Sequence, residues 1–289
     1  MPVFVSILPQ KFFVEQIGGD LVEVRVMVMP GASPATYEPK PQQMVDLARA
    51  KLYFSIGVPF ENAWLDRFAA TSSALKVVHT DAGIKKLSMP AYHHLDLDEG
   101  AGLRQEKHLH GHHKDKDELR HDSRRPQLGL DPHIWTSPAL VKIQARSILA
   151  ALAQTDPENS AAYQANWKTF TAKIDKLDRD LHSMFAGREG MRFMVFHPAW
   201  GYFAHDYKLK QIPIEIEGKN PKPAQLQELI HHAEEQGIRV IFVQPQFSSK
   251  SATLIAEAIG GKAVPLNPLA EDWLANMRKT AETFKAVIK

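Results

Sequence analysis

Four of the eight residues from Lys107 to Lys114, in the run KHLHGHHK, are histidines. The run is part of a wider cluster: seven of the chain's 14 histidines (His93, His94, His108, His110, His112, His113 and His121) fall between residues 93 and 121. Imidazole is the commonest metal-binding side chain, and several on one pliant segment chelate zinc, copper, nickel or cobalt. A closed structural site needs ligands held in place by packed neighbours. Nothing apolar surrounds this run, so metal contact is expected here and a rigid site is not. His108, His110, His112 and His113 are therefore read as accessory ligands.

Two further histidines sit where a fold would present them. His133 lies in GLDPHIWTSP, a Gly- and Pro-punctuated turn just ahead of a helical pattern, and His197 ends the apolar run of MRFMVFHPAWGYF. Ligands of open parallel sheets bind beyond the carboxyl ends of the strands, so His197 is expected to point towards a cleft. A lone histidine is more often a hydrogen-bonded structural residue. Two of them, both flanked by aromatics and one in each half of the chain, make a candidate pair. His231 and His232 occupy the last turns of an amphipathic helix, where imidazole suits the negative end of the dipole. They read as surface or capping residues, as do His79, His182 and His205.

Other chemistries find less support. The chain has no cysteine, which removes disulfides, thiolate metal sites and thiol nucleophiles. There is no HExxH, GxSxG, P-loop or GxGxxG pattern. Glu38 of TYEP is the one candidate base, and it reads more simply as a carboxylate securing its own loop. The chain is read as a non-enzyme, with a metal-dependent enzyme or chelatase-like protein, or a metal-binding adhesin, as the alternatives. With 35 basic against 33 acidic residues, a net charge of +2 gives no electrostatic case for nucleic acid.

Elements must hold these side chains. The chain of 289 residues exceeds the usual single-domain size, and its apolar fraction of 44% suffices for packed cores. VFVSIL (3–8), VEVRVMV (22–28), LYFSIG (52–57) and LKVVHT (75–80) read as strands, alternating with helical patterns at 41–50 and 60–70. The alternation returns with strands at 191–197, 212–216, 240–244 and 263–267 and helices at 224–236, 250–260 and 271–288. Such apolar runs separated by helices imply buried parallel strands. Between the halves, Pro138 to about Phe185 is helical, broken near TDPEN (155–159), where Thr155 or Asp156 is placed to cap a new helix with Pro157 in its first turn. That second helix is expected to run about 28 residues, roughly 42 Å, as a rigid strut. Residues 90–126 fit neither half and read as a mobile insertion.

The expected fold class is thus α/β, with two lobes, each a mostly parallel four-stranded sheet flanked by helices, joined by one long helix. The expected divisions are 1–137 for the first lobe with its histidine-rich segment, 138–186 for the helical connection and 187–289 for the second lobe. MPVFVSILPQKFF reads as a strand and a helix start, not as an export signal. The protein is then either cytoplasmic or a mature form. No window is long and apolar enough to cross a membrane.

PGASPATYEPKPQQM, LYFSIGVPFE, GLDPHIWTSP, FHPAWGYFA and IFVQPQFS together resemble the zinc- and manganese-binding solute-binding proteins of ABC metal importers, over essentially the whole chain and in order. The likeness is nearest the zinc branch, which commonly carries a histidine-rich charged segment ahead of the DPH turn. The resemblance implies metal in a cleft between two lobes, an extracytoplasmic (periplasmic) location and delivery to an ABC permease by a monomer. Zinc is the expected metal, with manganese or another divalent transition metal as alternatives.

Of the family's four ligand positions, the resemblance carries two to His133 and His197. A histidine normally precedes xYEP, and here that place is Ala35; the fourth position falls near Ser248, where manganese-type relatives have aspartate. Neither Ala35 nor Ser248 is a good ligand. Water, a segment histidine such as His110 or His113, or the rim carboxylate Glu217 is expected to fill the gap, the segment histidine being preferred. A metal already wrapped in a small chelator is a further possibility.

Overall fold

The protein is described by a computed structural model covering residues 1–89, 129–215, 219–248 and 250–287. The histidine-rich stretch at 90–126, with its accessory histidines, lies wholly outside these residues.

The first half builds a parallel sheet from β1 (Pro2–Val5), β2 (Glu23–Val26), β3 (Leu52–Ser55) and β4 (Lys76–His79), in the order β2-β1-β3-β4. Helices α1 (Leu8–Gly18), α2 (Pro41–Leu47) and α3 (Glu61–Thr71) make the connections. The central strand β3 is buried at all four positions, whereas the edge strand β2 alternates exposed and half-buried residues, as coverage on both faces or one face dictates.

The second half repeats the plan with β5 (Arg192–Val195), β6 (Lys210–Pro213), β7 (Val240–Val243) and β8 (Lys262–Pro265) in the order β6-β5-β7-β8. Its helices are α6 (Gly201–Asp206), α7 (Pro223–Glu235), α8 (Lys250–Ala258) and α9 (Trp273–Val287). Between the sheets run α4 (Pro138–Thr155) and the 26-residue α5 (Ser160–Phe185), about 39 Å long at the rise of an α-helix.

Several elements depart from the sequence expectation. The strand expected at 212–216 begins earlier, at Lys210, because pairing with β5 sets its register as Arg192 with Lys210 through Val195 with Pro213. Pro213, which has no amide hydrogen, is tolerated because β6 is an edge strand. The helix α6, only six residues long, was not expected from the sequence. Asp156 does precede the helical restart, but its carboxylate caps nothing: it accepts hydrogen bonds from Tyr163 Oη at 2.7 Å and Asn159 Nδ2 at 2.8 Å. Ser137, by contrast, is a true N-cap, accepting from the Leu140 amide at 3.2 Å with Pro138 in the first turn of α4.

One apolar core runs through both halves. Phe13 of α1 meets Trp273 of α9 edge-on, at 5.3 Å between ring centres, and Phe284 of α9 packs at a tilt against Phe193 of β5, 4.4 Å between ring centres. Helix α9 thus reaches from its own sheet back to the first half and clamps the two together.

In each sheet the chain leaves the centre in opposite directions, creating a crevice at the carboxyl ends of the two middle strands. The first crevice is filled by a polar knot. Glu61 of α3 is buried and accepts hydrogen bonds from the amides of Ile56 (3.0 Å) and Gly57 (2.7 Å) and from Ser6 Oγ, which in turn accepts from Tyr53 Oη at 2.6 Å. Burial pushes the Glu61 carboxyl up to about 7, against the three donors that favour its ionised form. Gly57 is required here: its φ is +84°, and a Cβ would lie 2.1 Å from Lys86 Nζ. Glu61, not the exposed Glu38, is therefore the carboxylate that secures a loop in this lobe. The second crevice is where the chemistry lies.

Candidate metal centre

His197 lies two residues past the end of β5, at the carboxyl end of a central strand. Its backbone is held on both sides by Gln244, the residue just past β7: the His197 amide donates to Gln244 Oε1 at 3.1 Å and Gln244 Nε2 donates to the His197 carbonyl at 2.6 Å. The ring stacks on Phe247 at 4.7 Å. Beyond the end of β6, the Glu215 amide still bonds the Phe196 carbonyl at 3.0 Å, which brings the Glu215 side chain alongside the imidazole. Glu215 Oε1 lies 2.6 Å from His197 Nδ1. A carboxylate only accepts, so Nδ1 carries the hydrogen and Nε2 faces outward with its lone pair.

His133 repeats the arrangement from the other side. Its Nδ1 lies 2.7 Å from Asp131 Oδ1, and its amide donates to the same oxygen at 2.9 Å. Asp131 is buried, and Gly201 gives it room: a Cβ at Gly201 would stand 2.7 Å from Asp131 Oδ2. The turn carrying His133 is tied down by long-range bonds. Tyr202 Oη donates to the Asp131 carbonyl at 2.8 Å, Trp135 Nε1 to the Pro268 carbonyl at 2.9 Å, Trp273 Nε1 to the Trp135 carbonyl at 2.7 Å and Ser137 Oγ to Asp206 at 2.5 Å.

The two imidazoles meet, with His133 Nε2 and His197 Nε2 3.2 Å apart. With both Nδ1 hydrogens committed to carboxylates, neutral rings would aim two lone pairs at one point, an arrangement that a shared cation or proton relieves. Two nitrogens about 2.05 Å from a tetrahedral zinc ion lie about 3.3 Å from each other, so the spacing fits such an ion. Among the described residues, Asp131 Oδ2 and Glu215 Oε2 are buried without a hydrogen-bond partner, leaving negative charge that a cation would balance. Burial of His197 lowers its pKa, and contact with Glu215 opposes that, so the ring favours the neutral form that binds metal.

The pair opens on a cavity of about 180 Å³ between the two lobes, walled mainly by apolar groups that include Pro34, Ala35, Val58, Trp135, Phe247 and Leu269. Ala35 therefore does face the site, without a donor atom. Ser248 is exposed, and its neighbours Gln246 and Phe247 reach the cavity instead. No group of three or more histidine, aspartate or glutamate side chains among the described residues could hold a metal ion. His108, His110, His112, His113 and Glu217 lie outside the described residues. The structure thus brings His133 and His197 together and adds Asp131 and Glu215, which sequence reasoning missed. The signal for Asp131 was its place two residues before His133 in the DPH turn. Glu215 had none that separated it from Glu217.

One expected result follows from the carboxylate pairing. Glu215→Gln, which weakens the orientation and basicity of the His197 ring, should lower zinc affinity by about 10- to 100-fold. Competition with a chromophoric chelator measures this; an unchanged affinity would detach Glu215 from the site.

Comparison with known proteins gives concordant matches. The family described as ZnuA, zinc-uptake complex component A, periplasmic, matches residues 3–287. The high-affinity zinc uptake system protein ZnuA of Bacillus subtilis is 29% identical over 269 residues, covering 92% of this chain and 78% of that protein. A crystal structure of ZnuA superposes with a TM-score of 0.85 at 39% identity, covering 100% of this chain and 99% of the other. A deletion mutant of ZnuA with zinc bound superposes with a TM-score of 0.84 at 38% identity, covering 100% and 98%.

Proposed function

Because the chain belongs to the family of the periplasmic zinc-uptake component ZnuA, we propose that it is an extracytoplasmic receptor that captures a divalent transition metal between its lobes and delivers it to an ABC permease. His133 and His197 hold the metal, and Asp131 and Glu215 orient the two rings. The lobes are taken as residues 1–137 and 187–289, with 138–186 as the helical connection. The observation that carries this reading is the 3.2 Å approach of two Nε2 atoms whose rings are both fixed from behind by carboxylates. Zinc is the first choice of cargo, since imidazole donors suit it better than they suit manganese, which favours oxygen ligands. The role requires capture and release and no bond-making step, and the protein works as a monomer.

Zinc added to metal-free protein should raise the thermal midpoint and saturate at one ion per chain. Occupancy at a thousandfold excess over Kd is worth about 4 kcal/mol. Absence of stabilisation by zinc, manganese or any other divalent metal would sink the proposal. Affinity should fall as pH drops through the imidazole range, because the proton competes for Nε2. The depressed pKa of His197 places its own loss below the ordinary imidazole value of about 6.5. The sign is the same for the metal-free fold. The unfolded chain takes up a proton at this residue more readily than the native chain, so stability also drops as pH falls beneath that value. Calorimetric titrations between pH 8 and pH 5 check both; a flat profile would exclude imidazole coordination.

A further inference from the structure

Among the described residues, two ring nitrogens are offered to an ion that prefers four ligands, and Ala35 lines the apolar cavity of about 180 Å³ on which they open. Water is a poor filler for that space. The cleft is open to solvent at the exposed Ala35 and Leu130, but its mainly apolar lining gives water few of the two to four polar partners that a held water needs. An apolar space of about 150 Å³, by contrast, suffices for a benzene-sized ring. Charge points the same way. The carboxylates of Asp131 and Glu215 already balance one divalent ion, and among the described residues no lysine or arginine lines the cavity to receive an anionic chelator. Trp135 and Phe247, which flank the two imidazoles at 5.0 Å and 4.7 Å, supply aromatic faces on which a further flat ring can pack.

From these features we infer that the receptor takes its metal together with one small, neutral, nitrogen-donor heterocycle of the imidazole class, whose ring fills the space beside Ala35 and whose nitrogen completes the coordination begun by His133 and His197. The cargo is then a mixed complex of metal and ligand. This rests on the two histidines being the metal-binding pair.

Free imidazole is the probe. Zinc affinity of the full chain is measured with and without millimolar imidazole, correcting for zinc bound by imidazole in solution, and cobalt(II) spectra report the ligand set directly. The expected result is a zinc affinity at least tenfold tighter with imidazole and a change in the cobalt visible bands on its addition. Ala35→Leu, whose side chain occupies the cavity, should abolish both effects. Ala35→His should tighten zinc without imidazole and make its addition irrelevant. Zinc binding that ignores imidazole in the native chain would overturn the co-ligand while leaving the histidine pair intact. Zinc binding that survives in both His133→Ala and His197→Ala would instead defeat the pair itself. An imidazole effect seen only after removal of residues 91–124 would give the cavity to the chain's own histidines and also overturn a free co-ligand.

Discussion

His197→Ala is expected to lower zinc affinity by more than about a hundredfold, beyond the 10- to 100-fold that follows loss of a partner behind a ligand. The reason is the small number of donors: removing one of two converging nitrogens leaves a single imidazole, which any solvent-exposed histidine could match. The variant also strands Glu215, which is buried and has one oxygen already without a partner among the described residues. An unpaired buried acceptor costs about 1–3 kcal/mol, so the metal-free variant should melt lower as well as bind more weakly. His197→Gln separates the two effects, since its amide can still donate to Glu215 but offers zinc a poor ligand. Retention of native affinity in the alanine variant would remove His197 from the site.

Trp273→Ala should produce the largest loss of stability from a single change. Trp273 is 1% exposed, packs edge-on against Phe13 and donates its indole hydrogen to the Trp135 carbonyl. Truncating a buried tryptophan typically costs about 3–5 kcal/mol. For a chain of this size that corresponds to a thermal midpoint lower by about 5–8 °C. Trp135 itself leans on His133 with ring centres 5.0 Å apart, so loosening its carbonyl should weaken zinc binding too, without touching a ligand. Trp273→Phe, which keeps much of the packing and loses the hydrogen bond, should cost less. Equal midpoints for Trp273→Ala and the native chain would mean that α9 does not clamp the halves.

Much of the fold was legible because local and global signals agree. VFV, LYFS and VIFV are short β-branched and aromatic runs bounded by helical patterns, and each appears as a central parallel strand. The second long helix was readable from its sustained amphipathic pattern. Misreadings came where local pattern and pairing diverge. In QIPIEI the apolar alternation continues past Pro213, but the ladder with β5 ends there. GYFAHD shows no cap and has too few residues to reveal a period, so α6 was invisible.

The site divides in the same way. His133 and His197 could be picked out from a turn and a strand end, which are local features. Their carboxylate partners could not. Glu215 and Glu217 share one strand parity, so alternation cannot distinguish them, and only the β5–β6 register sets Glu215 beside His197. Glu61 was hidden for a related reason: its donors come from Ser6, Ile56 and Gly57, which meet only once β1 and β3 are adjacent.

The bonds that fasten the His133 turn to Tyr202, Asp206 and Pro268 bear on how cargo leaves. Although these bonds moor His133 to the half that carries His197, its turn is also tied to the first half, where the Asp131 amide donates to the Leu87 carbonyl at 2.7 Å and Ser88 bridges Leu130. Because Pro34, Ala35 and Val58 of the first half line the same cavity, a shift of that half would pull on the His133 turn while Gln244 keeps His197 on the second. Unloading would then begin at His133, whose nitrogen can draw away from an ion still held by His197.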